Sequence, residues 1–131
     1  MTRTISPAGA RRRIEAGALL VDIRQPGEHA RESIPGARNV PLSRLERIEG
    51  AKEVIFHCRS GMRTSANAGR LAASTDAQAF LLDGGIDAWR RAGYECTRAA
   101  PGLSALVRKA LVIAVLVLLG SALASLFATP A

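Results

Sequence analysis

The residues best suited to chemistry lie in "FHCRSGMRT", positions 56 to 64, at the end of the apolar run "VIF". Cys58 stands where a buried strand gives way to a glycine-containing loop flanked by Arg59 and Arg63, just before a helical stretch. Successive backbone N–H groups in such a turn converge on one centre, and a helix start adds partial positive charge. A thiol at that focus is favoured as the thiolate, the nucleophilic form. Gly61 lets the backbone turn tightly, and the two arginines add fixed positive charge.

The spacing narrows the chemistry. From Cys58 to Arg63 the pattern is Cys-x4-Arg, a ring of six residues. A cradle for a tetrahedral phosphate or arsenate must enclose three oxygens, and cysteine phosphatases use one residue more. The tighter ring suits one sulfur atom carried on the cysteine, so its shape favours a persulfide over a phosphoenzyme. Among supporting residues, Asp22 ends an earlier strand beside Arg24 and is placed either to hold a loop arginine or to form a surface ion pair. Asp83 follows a later strand near the same sheet edge, as a site or a turn residue. His57 adjoins Cys58, but neighbours in a strand face opposite ways, so it is not expected to be the general base. Trp89 reads as core. Cys96 reads as inert packing, although a redox pairing with Cys58 stays open.

The elements that position these residues alternate. "ALLVDI" (18–23), "VIFH" (54–57) and "AFLLD" (79–83) are short apolar runs suited to a sheet covered on both faces. A first helix is marked by Ser6 as N-cap, Pro7 in the first turn and Gly17 at the end. Further helices are expected over 26–33, 43–49, 64–74 and 86–93. The alternation predicts an α/β domain with a central, mainly parallel sheet flanked by helices.

The net charge of +7 divides into +5 before residue 101 and +2 after it. The basic residues are scattered and aromatics make up only 4%, which argues against a nucleic-acid surface of basic stripes and stacking rings. Two cysteines 38 positions apart form neither a disulfide framework nor a CxxC metal pair, which favours a reducing compartment. The first 17 residues hold no apolar core of signal-peptide length. Residues 110–128, "ALVIAVLVLLGSALASLFA", are 19 in number and uncharged; as a helix they reach roughly 28 Å, enough for a hydrocarbon core. Arg108 and Lys109 precede this run, so a single crossing of the inner membrane is expected, with the preceding domain on the cytoplasmic side. The division read from this is a domain over 1–99, a hinge and basic juxtamembrane segment over 100–109, and a transmembrane helix over 110–128. Gly120, Ala124 and Ala128 share one helix face, which predicts self-association as a homodimer in lipid.

The chain resembles the single-domain rhodaneses. "CRSGMRT" is similar to the family's Cys-x-x-Gly-x-Arg-Ser/Thr loop, "LLVDIRQPGEHARESIPGARNVPL" (19–42) to its first half, and "LLDGGIDAWRRAGY" (81–94) to its closing segment. With the apolar tail, the likeness is to the rhodanese type anchored in the bacterial inner membrane. The resemblance implies a thiosulfate sulfurtransferase working through a persulfide on Cys58. Arg59, Ser60, Gly61, Met62 and Arg63 would form its cradle, with Asp22 and Asp83 in support and neither cofactor nor metal. It implies a small sulfur donor such as thiosulfate and a thiol or cyanide acceptor. Glu32-Ser33 stands where the family commonly has Gly-His, and the tail is long enough for one crossing where anchored relatives have two. A phosphatase, an arsenate reductase or a non-catalytic docking module remain alternatives.

Overall fold

A computed structural model describes residues 2–100 and 102–127. The chain divides into two compact units, Met1–Arg98 and Ala99–Ala131. The first opens with β1 (Arg3–Ile5) and α1 (Pro7–Glu15), whose N-cap Ser6 accepts from Gly9 N–H at 3.1 Å. Then come β2 (Leu19–Asp22), α2 (Pro26–Arg31), β3 (Glu32–Ser33) and β4 (Arg38–Asn39). β5 (Glu53–His57) leads into α3 (Met62–Ala66) and α4 (Ala68–Ala73); β6 (Gln78–Leu82), α5 (Gly85–Arg91) and β7 (Thr97–Arg98) complete the unit.

Five strands form one parallel sheet in the order β1-β6-β5-β2-β4. Side chains alternate between its faces, as a sheet covered on both sides requires. Leu20, Ile55 and Phe80 pack with Ala10 of α1 and with Ile86 and Trp89 of α5. Val21, Phe56 and Leu81 pack on the other face with Cys58 and with Leu71 of α4. Cys96 joins the first cluster, so the two cysteines lie on opposite sides of the sheet and both are free. That separation removes the direct Cys58–Cys96 pairing. Trp89 is core as read, its indole N–H donating to Glu95 O at 2.9 Å.

Three helix expectations need correction. In place of a helix over 43–49 there is a 3-10 turn at Leu42–Arg44 followed by irregular chain; Ile48 N–H donates to Ser74 O at 2.8 Å while its side chain enters the core. Tertiary pairing here outweighs the local helical pattern. The helix read over 26–33 stops at Arg31, because Glu32 and Ser33 pair antiparallel with β7. The stretch 64–74 starts earlier, at Met62, and breaks at Asn67 into two short helices.

The second unit is the helix α6 (Leu103–Leu126). Its stretch Ala105–Leu126 has mean hydropathy 2.3 and none of it is buried. Arg108 and Lys109 lie in its first two turns, directly ahead of the uncharged run that begins at Ala110. Pro101 of the expected hinge and Ala128 of the small-residue face lie outside the described residues.

Register places Asp22 and His57 side by side at the ends of β2 and β5. Both are fully buried. His57 Nδ1 donates to Cys58 O at 3.1 Å, while Nε2 lies 3.9 Å from Asp22 Oδ2 without a hydrogen bond. Burial pushes the His57 imidazole below its ordinary pKa, and the Asp22 charge only partly opposes this. Burial alone raises Asp22, but hydrogen bonds from Arg24, the His57 charge and His29 hold its carboxyl below the usual range. Unfolding therefore takes up protons at both sites in acid, so stability declines as pH falls. The decline begins below about 6.5, where an unfolded histidine protonates, and continues below about 3.9, where an unfolded aspartate does. Thermal unfolding of the full chain against pH checks this. His57→Gln should flatten the decline between about pH 7 and 5, and a Tm that is level over that range in the unaltered chain would contradict it.

Candidate active site around Cys58

The loop after β5 turns toward β6, whereas the chain after β2 turns the other way, toward β4. Neighbouring strands whose connections diverge mark a switch point at their C-terminal ends, and Cys58 directly follows β5 there. Its side chain has 0% exposure. Gly61 N–H donates to Cys58 Sγ at 3.1 Å, and the buried Thr64 hydroxyl lies 3.8 Å from the sulfur. Thr64 Oγ1 also donates to Gly61 O at 3.1 Å, closing the turn. Gly61 itself has φ +92°, the left-handed region in which a side chain is strained. Since α3 has only five residues, the sulfur's observed partner is this loop amide rather than a long helix dipole.

The loop's backbone is held from outside. Ile86 N–H donates to Cys58 O at 3.0 Å and Asp87 N–H to Arg59 O at 3.1 Å. In a trans peptide the C=O and the next N–H point opposite ways. With both carbonyls turned to α5, the Arg59 and Ser60 amides are turned away from it. This approach depends on Gly85, which has φ +58°. A Cβ there would stand 2.4 Å from Cys58 O and 2.5 Å from Arg59 O, closer than side-chain atoms come.

The expected cradle residues fall into three groups. Gly61 meets the sulfur directly. Arg63 lies beside the loop but is engaged by Glu28: Nη1 and Nη2 donate to its two carboxylate oxygens, each at 2.9 Å. The Arg63 guanidinium holds Glu28 well down, at about 2, and Glu28 in turn raises Arg63. Arg59, Ser60 and Met62 line the rim; Met62 is 76% exposed and Arg59 Nε is 3.7 Å from Asp87. Asp83 is exposed and shares a cleft of about 270 Å³ with Ser60, Gly61 and Met62.

Asp22 is no surface ion pair and does not reach a loop arginine. It is buried, takes Arg24 through Nε and Nη2 at 2.8–3.1 Å, and receives His29 Nδ1 at 2.8 Å. Arg24 Nη2 continues to Glu32 O at 2.6 Å, tying the end of α2 to the floor of the site. Sequence reasoning missed Glu28, His29 and Gly85, and read Thr64 only as the last residue of the loop motif. The Gly84-Gly85 pair beside Asp83 was the available signal for a close approach; nothing local signals that Glu28 meets Arg63, 35 positions away.

Gly85→Ala should force α5 off the loop, costing about 2 kcal/mol or more. Thermal unfolding together with the rate of Cys58 modification by a small alkylating reagent checks this. Unchanged stability and an unchanged rate would show that the close approach is not needed.

A family model described as the rhodanese-like domain matches residues 6–92. An HTH-type transcriptional regulator of Mycobacterium tuberculosis is 35% identical over 103 residues, covering 74% of this chain and 46% of that protein, so the chain spans less than half of this relative's length. A sulfurtransferase of Allochromatium vinosum is 38% identical over 79 residues, covering 57% of this chain and 74% of the relative. A solved rhodanese-related protein from Thermoplasma volcanium superposes with a TM-score of 0.64 at 29% identity, covering 72% of this chain and 97% of that one. The parallel sheet, the cysteine at its divergence point and the match across residues 6–92 agree: this chain belongs to the rhodanese-like family.

Proposed function

We propose that the chain is a membrane-anchored sulfurtransferase that carries sulfane sulfur as a persulfide on Cys58. The observation that carries this reading is the Gly61 N–H directed at Cys58 Sγ from a loop whose carbonyls are turned outward to α5. The Cys58 thiolate attacks the outer sulfur of thiosulfate; the S–S bond breaks and sulfite departs with the electron pair. An acceptor, cyanide or a thiolate, then attacks the terminal sulfur of the persulfide, and Cys58 leaves again as thiolate. Neither step needs a proton relay, so anion stabilisation by loop amides and Arg63 is the main demand. His57, fully buried and bonded to the Cys58 carbonyl, is accordingly given no acid–base role. The relatives' sulfurtransferase naming supports the reaction class.

Anchoring is supported by the stretch Ala105–Leu126 of α6, whose mean hydropathy is 2.3 and which carries no charge from Ala110 onward. Arg108 and Lys109 at its N-terminal side favour a cytoplasmic position for the domain. Self-association rests on Gly120 and Ala124, four apart on one face. Ser121 and Ser125 donate within the helix, to Val117 O and Ser121 O, so their hydroxyls are already satisfied.

Cys58→Ser should lower thiosulfate-to-cyanide transfer by about a thousand-fold or more, because an alcohol cannot hold the persulfide, while Cys96→Ser keeps most of it. Intact mass after thiosulfate treatment should show one added sulfur atom on the unaltered chain and none on Cys58→Ser. Normal thiocyanate formation by Cys58→Ser would overturn the assignment.

The full chain should sediment with membranes and resist carbonate extraction; release into the supernatant would rule out the anchor. Gly120→Ile with Ala124→Ile should reduce crosslinked dimer in lipid, and undiminished crosslinking would remove the self-association.

A further inference from the structure

The feature that sulfur transfer leaves unexplained is the ion pair on Arg63, one of the loop's two arginines. Arg63 closes the Cys58 ring, and the Cys58 charge is among the influences on it, after those of Glu28 and burial. Yet both of its terminal nitrogens already donate to a carboxylate of the same chain. That carboxylate is not a loose surface group. Glu28 Oε2 also accepts from Gln25 N–H at 3.0 Å, so the start of α2 aims it at Arg63. The pair is partly exposed, with 38% of the Arg63 side chain and 26% of the Glu28 side chain accessible. It can therefore be opened by a competing anion.

We propose that Glu28 is a built-in counter-anion that sets which sulfur donors the loop accepts, discriminating against dianions such as thiosulfate in favour of singly charged thiosulfonates. This inference rests on the sulfurtransferase reading and concerns its substrate class. A donor that places two negative charges in the cradle must share Arg63 with Glu28 or displace it. A thiosulfonate, R–SO₂–S⁻, brings the same sulfane sulfur with one charge fewer and meets less repulsion. Its chemistry balances in the same way: Cys58 thiolate attacks the outer sulfur, the S–S bond breaks, and sulfinate leaves with the electron pair. Glu28 remains ionised throughout the neutral range, since its carboxyl is held at about 2, so the discrimination does not depend on pH there. A half-exposed pair is modest in strength, which sets the expected effect at a factor of about two to five in KM.

The test compares thiosulfate with methanethiosulfonate as donors, using the full chain in detergent micelles and Glu28→Gln, with Glu28→Ala as a second variant. Both variants should lower KM for thiosulfate more than KM for methanethiosulfonate, moving the ratio of kcat/KM toward thiosulfate. An unchanged ratio, or a higher thiosulfate KM, would show that Glu28 only holds Arg63 in place. The unaltered chain provides a measurement that does not depend on the variants folding. Sulfate should inhibit it no more tightly than methanesulfonate, and tenfold tighter inhibition by sulfate would overturn the proposal. Failure of the unaltered chain to take sulfur from either donor would instead reject the sulfurtransferase reading itself.

Discussion

Two backbone hydrogen bonds, from Ile86 N–H to Cys58 O and from Asp87 N–H to Arg59 O, decide the shape of the loop. Each is worth only about 1 kcal/mol net in a folded protein. Their geometric effect is larger than their energy. By fixing two peptide planes with their carbonyls outward, they turn the amides away from α5 and leave the Gly61 N–H to meet the sulfur at 3.1 Å. The condition for both bonds is the missing Cβ of Gly85, since any side chain would meet the same two carbonyls at 2.4–2.5 Å. A residue 27 positions from the cysteine thus controls whether the cysteine has a cradle at all.

Charge is arranged around this loop at two depths, and the depth decides the role. Asp22 is fully buried and satisfied by Arg24 and His29, with Arg24 passing on to a carbonyl of β3. Removing one member of such a set would strand a charge in a dry interior, so the set is structural: it locks α2 against the end of β2. Glu28 and Arg63 stand at the rim, half open to water, where an ion pair is weak enough to exchange. The same helix α2 therefore contributes a fixed anchor through His29 and an exchangeable partner through Glu28. His57 lies between these levels as a buried spacer whose one hydrogen bond steadies the Cys58 carbonyl already held by Ile86.

The second unit differs in composition. In α6 the apolar residues run around the whole helix, and its serine hydroxyls turn back to carbonyls one turn earlier. A hydroxyl left without a partner in an apolar environment is costly, and on the proposed membrane reading this local bond would lower that cost. The first unit shows the opposite economy: its apolar side chains are divided between two faces of one sheet, and its polar groups are paired across long stretches of chain.

What the sequence determined by itself was everything whose physics is local. Apolar runs of strand length marked β2, β5 and β6; Ser6 and Pro7 marked the start of α1; the arrangement of Cys58, Gly61 and Arg63 marked the loop. The uncharged tail marked α6 by length and composition alone. Tertiary structure decided the rest, because the deciding partners are distant in the chain. Residues 43–49 lose their helix to a bond between Ile48 and Ser74 and to the burial of Ile48. Glu32 and Ser33 become extended because β7 lies beside them. Asp22, legible as the end of a strand, gains its burial and its partners only when β5 and α2 close over it. Arg63 could be assigned to the loop from spacing, but its occupation by Glu28 could not. Hydrophobic period and capping reach a few residues along the chain, whereas an ion pair across 35 positions exists only once the sheet has brought both ends together.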